Sequence, residues 1–245
     1  MATGPAAMGR DQIPVSRETR DALVFGDALP GIQAYAQLLR TEGIPRGILG
    51  PREADRLWDR HLLNCAVVAP ALATGASVAD VGSGAGLPGV VLALIRPDLS
   101  VRLVEPLLRR AVFLEEAVEQ LGLRGVEVVR SRAEDLHGRW TTDVVTARAV
   151  APLTRLAAWC LPLVRPGGTL LALKGQRAQA ELTAAAAGLP ALGAATWSVQ
   201  MYGEGLLDVA TRVVRIDRSA GASMPSRPAD PGGGREAVPP SRRRR

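Results

Sequence analysis

Between Val78 and Gly89 the chain reads Val-Ala-Asp-Val-Gly-Ser-Gly-Ala-Gly-Leu-Pro-Gly, and an apolar stretch, Val90 to Ile95, follows. Gly82, Gly84, Gly86 and Gly89 leave the backbone bare, so a ligand can approach it where any side chain would clash. The bare amides at the start of the following apolar stretch favour a polar or anionic ligand group. Asp80 precedes the glycines, and Glu105 closes the next apolar run, Val101 to Val104. A carboxylate placed there can accept two hydroxyl hydrogen bonds from a ribose. This equipment holds a nucleoside-type cofactor and by itself does no acid–base work.

Other chemically able residues are sparse. Cys65 and Cys160 form neither a metal-type cluster nor a disulfide framework, and His61 and His137 are the only histidines. No metal site is expected. Lys174 is the only lysine among thirty basic residues. Either it is a leftover of the Arg bias, or its position needs a compact ammonium in place of a planar guanidinium.

Composition bounds the function class. The chain has 245 residues and 47% apolar content, enough for one sizeable α/β domain. Aromatics are only 3%, so stacking platforms for nucleic-acid bases are scarce. Apolar runs stay far below the ~20 residues of a membrane span, and the first residues mix Gly, Pro and charges. A cytoplasmic protein without membrane contact is expected. The net charge is +6, but Arg218 to Arg245 holds seven Arg against two acids and carries +5 of it. The folded part is nearly neutral.

The elements that position these residues follow from periodicity. Residues 1–17 and 218–245 lack the composition for a core and are expected to be disordered, the second as a basic tail. A folded domain of 18–217 remains. Within it a helical extension, 18–74, contains helices over 29–39 and from Pro51 to Pro70. The α/β core, 75–217, reads as strands at 78–81, 101–105, 126–129, 143–146 and 169–173. Helices at 90–95, 107–121, 152–163 and 176–187 lie between them, and a turn at 132–135. The runs 196–202 and 209–216 alternate like strands around the turn residues Gly203-Glu-Gly205, so they form an antiparallel hairpin.

Two cofactor classes fit the glycines. Gly84-Ala-Gly86-Leu-Pro-Gly89 matches the G-x-G-x-x-G of dinucleotide binders. Asp80-Val-Gly82-Ser-Gly84-Ala-Gly86 matches the turn that holds S-adenosylmethionine. A dinucleotide fold repeats its strand–helix unit to the end, whereas this chain finishes on a hairpin. The expected fold is therefore a class I S-adenosylmethionine-dependent methyltransferase. It is Rossmann-like, with a mainly parallel seven-stranded sheet, a terminal antiparallel hairpin and the helical extension in front.

Five segments jointly resemble the RsmG (GidB) family, which methylates N7 of a guanine in small-subunit ribosomal RNA. They are Arg60-His61-Leu-Leu, Asp80 to Gly89, Arg132-Ala133-Glu134, Thr146-Ala-Arg148-Ala149 and Leu173-Lys174-Gly175-Gln176. The resemblance spans roughly residues 30 to 216. It departs at Asn64-Cys65, where the family has Asp-Ser, and at Arg46 to Gly50, where an Asn-Leu-Thr motif is usual. It implies a methyl transfer to 16S rRNA in the decoding-region loop. Gly82 and Leu87 are implied to touch the cofactor, Ala133 and Glu134 to meet its adenine end, and Arg148 to contact it at the substrate mouth. From the residues themselves, Gly84 and Gly86 belong to the same turn, Glu105 suits the ribose, and Asp80 orients the turn or meets the ammonium.

Guanine N7 carries a lone pair and no proton, so no general base is required and no catalytic residue is nominated. The chain lacks the Asp/Asn-Pro-Pro-aromatic motif of exocyclic-amine methyltransferases, and one lysine cannot supply a ribose methyltransferase set. Arg60, His61, Arg148 and Lys174 are the candidate RNA contacts. The expected partner is 16S rRNA or the small ribosomal subunit, met by a monomer. Two alternatives stand beside this reading. One is a class I methyltransferase for a small molecule or protein. The other is a ribosome-binding module with a vestigial cofactor fold.

Overall fold

The structure, a computed structural model, describes residues 16–223. Helix α1 (Arg17–Phe25) starts where Ser16 Oγ accepts the Thr19 amide. That cap places Arg17 in the helical extension and not in the disordered segment, an N-cap Ser supplying an acceptor for an orphan amide. Helix α2 (Leu29–Leu38) follows and widens into Leu39–Gly43. The helix expected from Pro51 is not regular: a tight-turned segment, Pro51–Arg56, gives way to a wide-turned one, Leu57–Leu63, and then to α3 (Asn64–Ala66). The wide turns bury Leu57, His61, Leu62 and Leu63 together, more than one regular helical stripe accommodates.

Seven strands follow: β1 (Ser77–Val81), β2 (Ser100–Val104), β3 (Val126–Val129), β4 (Thr142–Arg148), β5 (Val164–Lys174), β6 (Ala194–Tyr202) and β7 (Thr211–Arg218). They form one sheet in the order β3-β2-β1-β4-β5-β7-β6. The first five are parallel; β7 runs antiparallel to β5 and pairs with β6 as the hairpin. The expected fold class is the one observed. Arg218, read as tail, ends β7 and is 5% exposed, its guanidinium donating to the Val164 and Ser223 carbonyls. The remainder of the two expected disordered segments, residues 1–15 and 224–245, lies outside the described residues.

Helices α4 (Gly89–Ile95) and α5 (Leu108–Gln120) cover one face of the sheet, and α6 (Leu153–Cys160) with α7 (Ala178–Ala185) the other. Alternation along β1 serves both: Val78 joins the first cluster, Ala79 and Val81 the second. The extension has no core of its own. Phe25, Ile32, Tyr35 and Leu57 pack in one cluster with Val90, Leu103 and Phe113.

Strand order reverses between β1 and β4, because β2 lies to one side of β1 and β4 to the other. The loops after these strands diverge there and open a crevice at their carboxyl ends, the place where ligands sit in open α/β sheets. The glycine turn lies on it. Gly86 has φ +94°, and a Cβ there would lie 2.6 Å from Val90 Cγ2 and 2.7 Å from Tyr35 Oη. Tyr35 itself is fully buried and donates to the Ala85 carbonyl. Gly86→Ala should therefore cost about 2–4 kcal/mol in urea unfolding, from strain plus overpacking.

Candidate active site

Asp80 is fully buried in the turn's foundation. Its Oδ2 accepts the Gly89 amide at 3.0 Å and its Oδ1 the Thr146 hydroxyl at 3.3 Å. One carboxylate thus ties β1, β4 and the first residue of α4, where the helix leaves an amide without an internal partner. Burial pushes its pKa up to about 6, against the pull of the Gly89 amide. Of the two roles expected for Asp80, orienting the turn or meeting the cofactor's ammonium, its contacts fit the first, and it is absent from the wall of the crevice. Gly86 is absent too, because its Cα faces Tyr35 and Val90.

The other seven expected cofactor residues converge. Gly82, Gly84, Leu87, Glu105, Ala133, Glu134 and Arg148 all line one cavity of about 500 Å³. That lies in the range of about 300–1,000 Å³ typical of small-molecule sites. Gly82 has φ +70°, and a Cβ there would meet Val150 Cγ2 at 2.7 Å. Glu105 is 1% exposed as a residue, yet its carboxylate is held at the cavity by amides on both sides: Oε2 accepts Gly84 N and Oε1 accepts Leu107 N, each at 3.0 Å. Arg110 stands 3.8 Å away. Ile48, Leu49, Val150 and Trp159 complete the wall and were not expected. Ile48 and Leu49 come from the extension, about 35 residues before the turn, and no local pattern marks them.

Arg148, the last residue of β4, stands at the junction of this cavity with the next one. Its guanidinium donates to His61 Nδ1, reaches the Arg60 carbonyl at 3.4 Å and lies 3.7 Å from Cys65 Sγ. His61 Nε2 in turn contacts Glu53 Oε2 at 2.6 Å. Burial, and after it the Arg148 charge, lowers the His61 pKa, with Glu53 opposing. The His61 hydrogen bond holds the Glu53 carboxyl below its usual range. Burial pushes the Cys65 thiol up to about 11 although Arg148 pulls the other way. His61 was expected to touch RNA; it is 6% exposed with both ring nitrogens engaged, and serves Arg148 instead.

Lys174 departs from expectation in the same way. Its ammonium donates to the Ala151 carbonyl at 2.6 Å and to Glu181 Oε2 at 2.8 Å, and its side chain is 6% exposed. Glu181 Oε2 also accepts the Leu153 amide at 3.0 Å. Together they clamp the loop between β4 and α6, which contains Ala149 at φ +54° and the Val150 that presses on Gly82. A compact ammonium with three donors sits between the carbonyl and the carboxylate. Burial works against the Glu181 charge, yet Lys174 and the Leu153 amide hold its pKa below the usual value.

Past Arg148 the crevice continues along the carboxyl edge of the sheet. One cavity there, of about 560 Å³, shares Arg148, Ala149 and Val150 with the first. A further one, of about 720 Å³, shares Arg60, Asn64, Lys174 and Thr211 with the second. Exposed Arg56 and Arg60 and half-buried Arg212 line this last lobe. None of the three has a carboxylate within salt-bridge distance among the described residues. Arg56 and Arg212 were not expected, since one sits in the extension and the other on β7, 156 positions apart by number.

Known proteins agree with this architecture. Residues 28–209 match the family described as GidB, rRNA small subunit methyltransferase G. The ribosomal RNA small subunit methyltransferase G of Thermobifida fusca (strain YX) is 55% identical over 216 residues, covering 86% of this chain and 91% of that protein. Its counterpart in Streptomyces coelicolor is 55% identical over 205 residues, covering 83% and 85%. Among solved structures, a ribosomal protein L11 methylase from Lactobacillus delbrueckii subsp. bulgaricus superposes with a TM-score of 0.50 at 14% identity, covering 65% of this chain and 79% of that one. At that identity the likeness concerns the fold alone.

Two measurements check the reassigned residues. Lys174→Ala should lower stability by about 3 kcal/mol in denaturant unfolding, because Glu181 and the Ala151 carbonyl lose their partner; a pure RNA contact would leave stability unchanged. Asp80 has a folded pKa above its unfolded value, so the folded state binds the extra proton between about pH 4 and pH 6. Stability contributed by that proton is present below pH 4 and lost as pH rises through 6. Asp80→Asn, which keeps the acceptor for Gly89, should remove this drift of about 2–3 kcal/mol, whereas Asp80→Ala should be less stable at every pH.

Proposed function

This chain belongs to the ribosomal RNA small subunit methyltransferase G family, and from that premise we propose that it transfers a methyl group from S-adenosylmethionine to N7 of a guanine in the decoding-region loop of 16S ribosomal RNA. The observation that carries the reading is continuity: a cofactor-sized cavity on the glycine turn opens at Arg148 into a groove lined by unpaired arginines.

The cavity suits the donor. The bare Cα of Gly84 leaves room for the methionine end, Gly82 lets Val150 close in beside it, and the Glu105 carboxylate, already oriented by two amides, accepts from ribose hydroxyls. Ala133 and Glu134 bound the adenine end, with Trp159 beside them. The bound donor supplies a methyl group on a positively charged sulfur. Everything else falls to the chain. Guanine N7 has no proton to remove, so no residue acts as a base, and neither Glu105 nor Asp80 is needed as one. The protein aligns the lone pair with the methyl group and keeps water out, a contribution of proximity and orientation. Arg56, Arg60 and Arg212 hold phosphates of the RNA by charge, and Arg148 meets both partners at the junction.

Few aromatics flank the groove to stack a base, so an assembled small subunit, presenting a folded loop, is the substrate this surface fits better than short naked RNA. The protein acts in the cytoplasm as a monomer. Among the described residues no helix is long and apolar enough to cross a membrane.

Mapping of rRNA N7-methylation by reduction, strand cleavage and primer extension, with and without the gene, tests the function. Loss of a single guanine signal in 16S rRNA on deletion is the expected result, and an unchanged pattern would refute it. In vitro, Arg56→Ala with Arg212→Ala should raise KM for small subunits severalfold and flatten its salt dependence, leaving cofactor affinity unchanged.

A further inference from the structure

His61 and Glu53 lie behind Arg148, out of reach of the cofactor cavity, and the reaction proposed above gives them nothing to do. Their geometry is nonetheless specific. Arg148 carries only donors, so His61 Nδ1, which receives its guanidinium, must be the unprotonated nitrogen. The ring proton then sits on Nε2 and is donated to Glu53 Oε2 across 2.6 Å. Glu53, His61 and Arg148 come from the tight-turned segment of the extension, the wide-turned segment after it and the end of β4.

We propose that His61 is a positioning residue for the methyl transfer: its neutral ring, oriented by Glu53, supplies the acceptor that holds the Arg148 guanidinium across the junction between cofactor cavity and substrate groove. This rests on the reading of Arg148 as a group that meets both partners. Without the acceptor, Arg148 keeps only a long contact to the Arg60 carbonyl and a weak one to the Cys65 sulfur. A protonated His61 would present an N–H to the guanidinium and repel it, so the arrangement is a built-in acid sensitivity. The groups facing the ring are Glu53, Arg60, Arg148 and Cys65, with the Lys174–Glu181 pair across the same cavity. Cys65, its thiol pushed up to about 11, stays protonated there, and Lys174 is ion-paired with Glu181. The depressed His61 pKa agrees: below the usual His range the unfolded chain protonates first, so stability is lost as pH falls through about 6.5.

Three proteins decide it: wild type, His61→Asn, whose amide oxygen can replace Nδ1 as acceptor at every pH, and His61→Phe, which fills the space without an acceptor. Calorimetry with S-adenosylhomocysteine from pH 5 to 8 and single-turnover methylation of small subunits are the readouts. His61→Phe should lose at least about tenfold in both, the scale of a lost hydrogen bond to a charged group. His61→Asn should recover most of that loss and lack the acid limb that wild type shows. Asp80 titrates in the same range, but all three proteins retain it, so the difference between them isolates His61. Wild-type affinity and rate in a folded His61→Phe would overturn the proposal, and so would an unshifted acid limb in His61→Asn. If His61→Phe does not fold, the acid limb of His61→Asn decides alone. Absence of small-subunit methylation by wild type would refute the proposed function, while the calorimetric series would still read the positioning of Arg148.

Discussion

The turn from Gly82 to Gly89 exists because side chains from three directions occupy the space its own residues leave empty. Val150 presses on Gly82, Tyr35 and Val90 on Gly86, and Leu103 with Asp80 on Gly89. Beneath it the buried Asp80 carboxylate joins the start of α4 to β1 and β4. A turn held this way pays its conformational cost at folding and presents bare backbone to a cofactor with little left to order. The helical extension is part of that frame, since Tyr35 reaches the Ala85 carbonyl from α2.

The buried charges serve the same end. Lys174 with Glu181 clamps the loop after β4, and Glu53 with His61 holds Arg148. Each pair lines the cavity that joins the glycine-turn cavity at Arg148, and neither is aimed at solvent. Pairs of this kind contribute little net stability, because desolvation offsets attraction, but they fix geometry. In the reaction proposed above, alignment of this kind carries the catalysis. Three of the described arginines without a carboxylate at salt-bridge distance, Arg56, Arg60 and Arg212, lie in one lobe along the groove.

Much of this was legible in the chain. Glycine spacing, strand-end acids and the closing hairpin lead to the fold, and seven of the nine residues assigned to the cofactor line one cavity, the count excluding Asp80 and Gly86. These signals are local: a turn, a strand end and a β-hairpin each write their demands into neighbouring residues. The start of α1 was missed although Ser16 is an ordinary cap, because no strong apolar stripe follows it.

By its sequence alone this chain determined the order of its strands, the closing hairpin and the class of cofactor turn. Only the tertiary structure decided what the polar residues do. His61 and Lys174 read as RNA contacts because they are basic and lie in marked segments, and both are buried and spoken for. Asp80 reads as either a brace or a ligand, and only its buried contacts to Gly89 and Thr146 choose the brace. A side chain's chemistry is written in its type, but its assignment depends on which partners arrive from distant segments. Glu53 and Glu181 lie within eight residues of His61 and Lys174, but Thr146 meets Asp80 and Arg148 meets His61 only once β4 has joined the sheet.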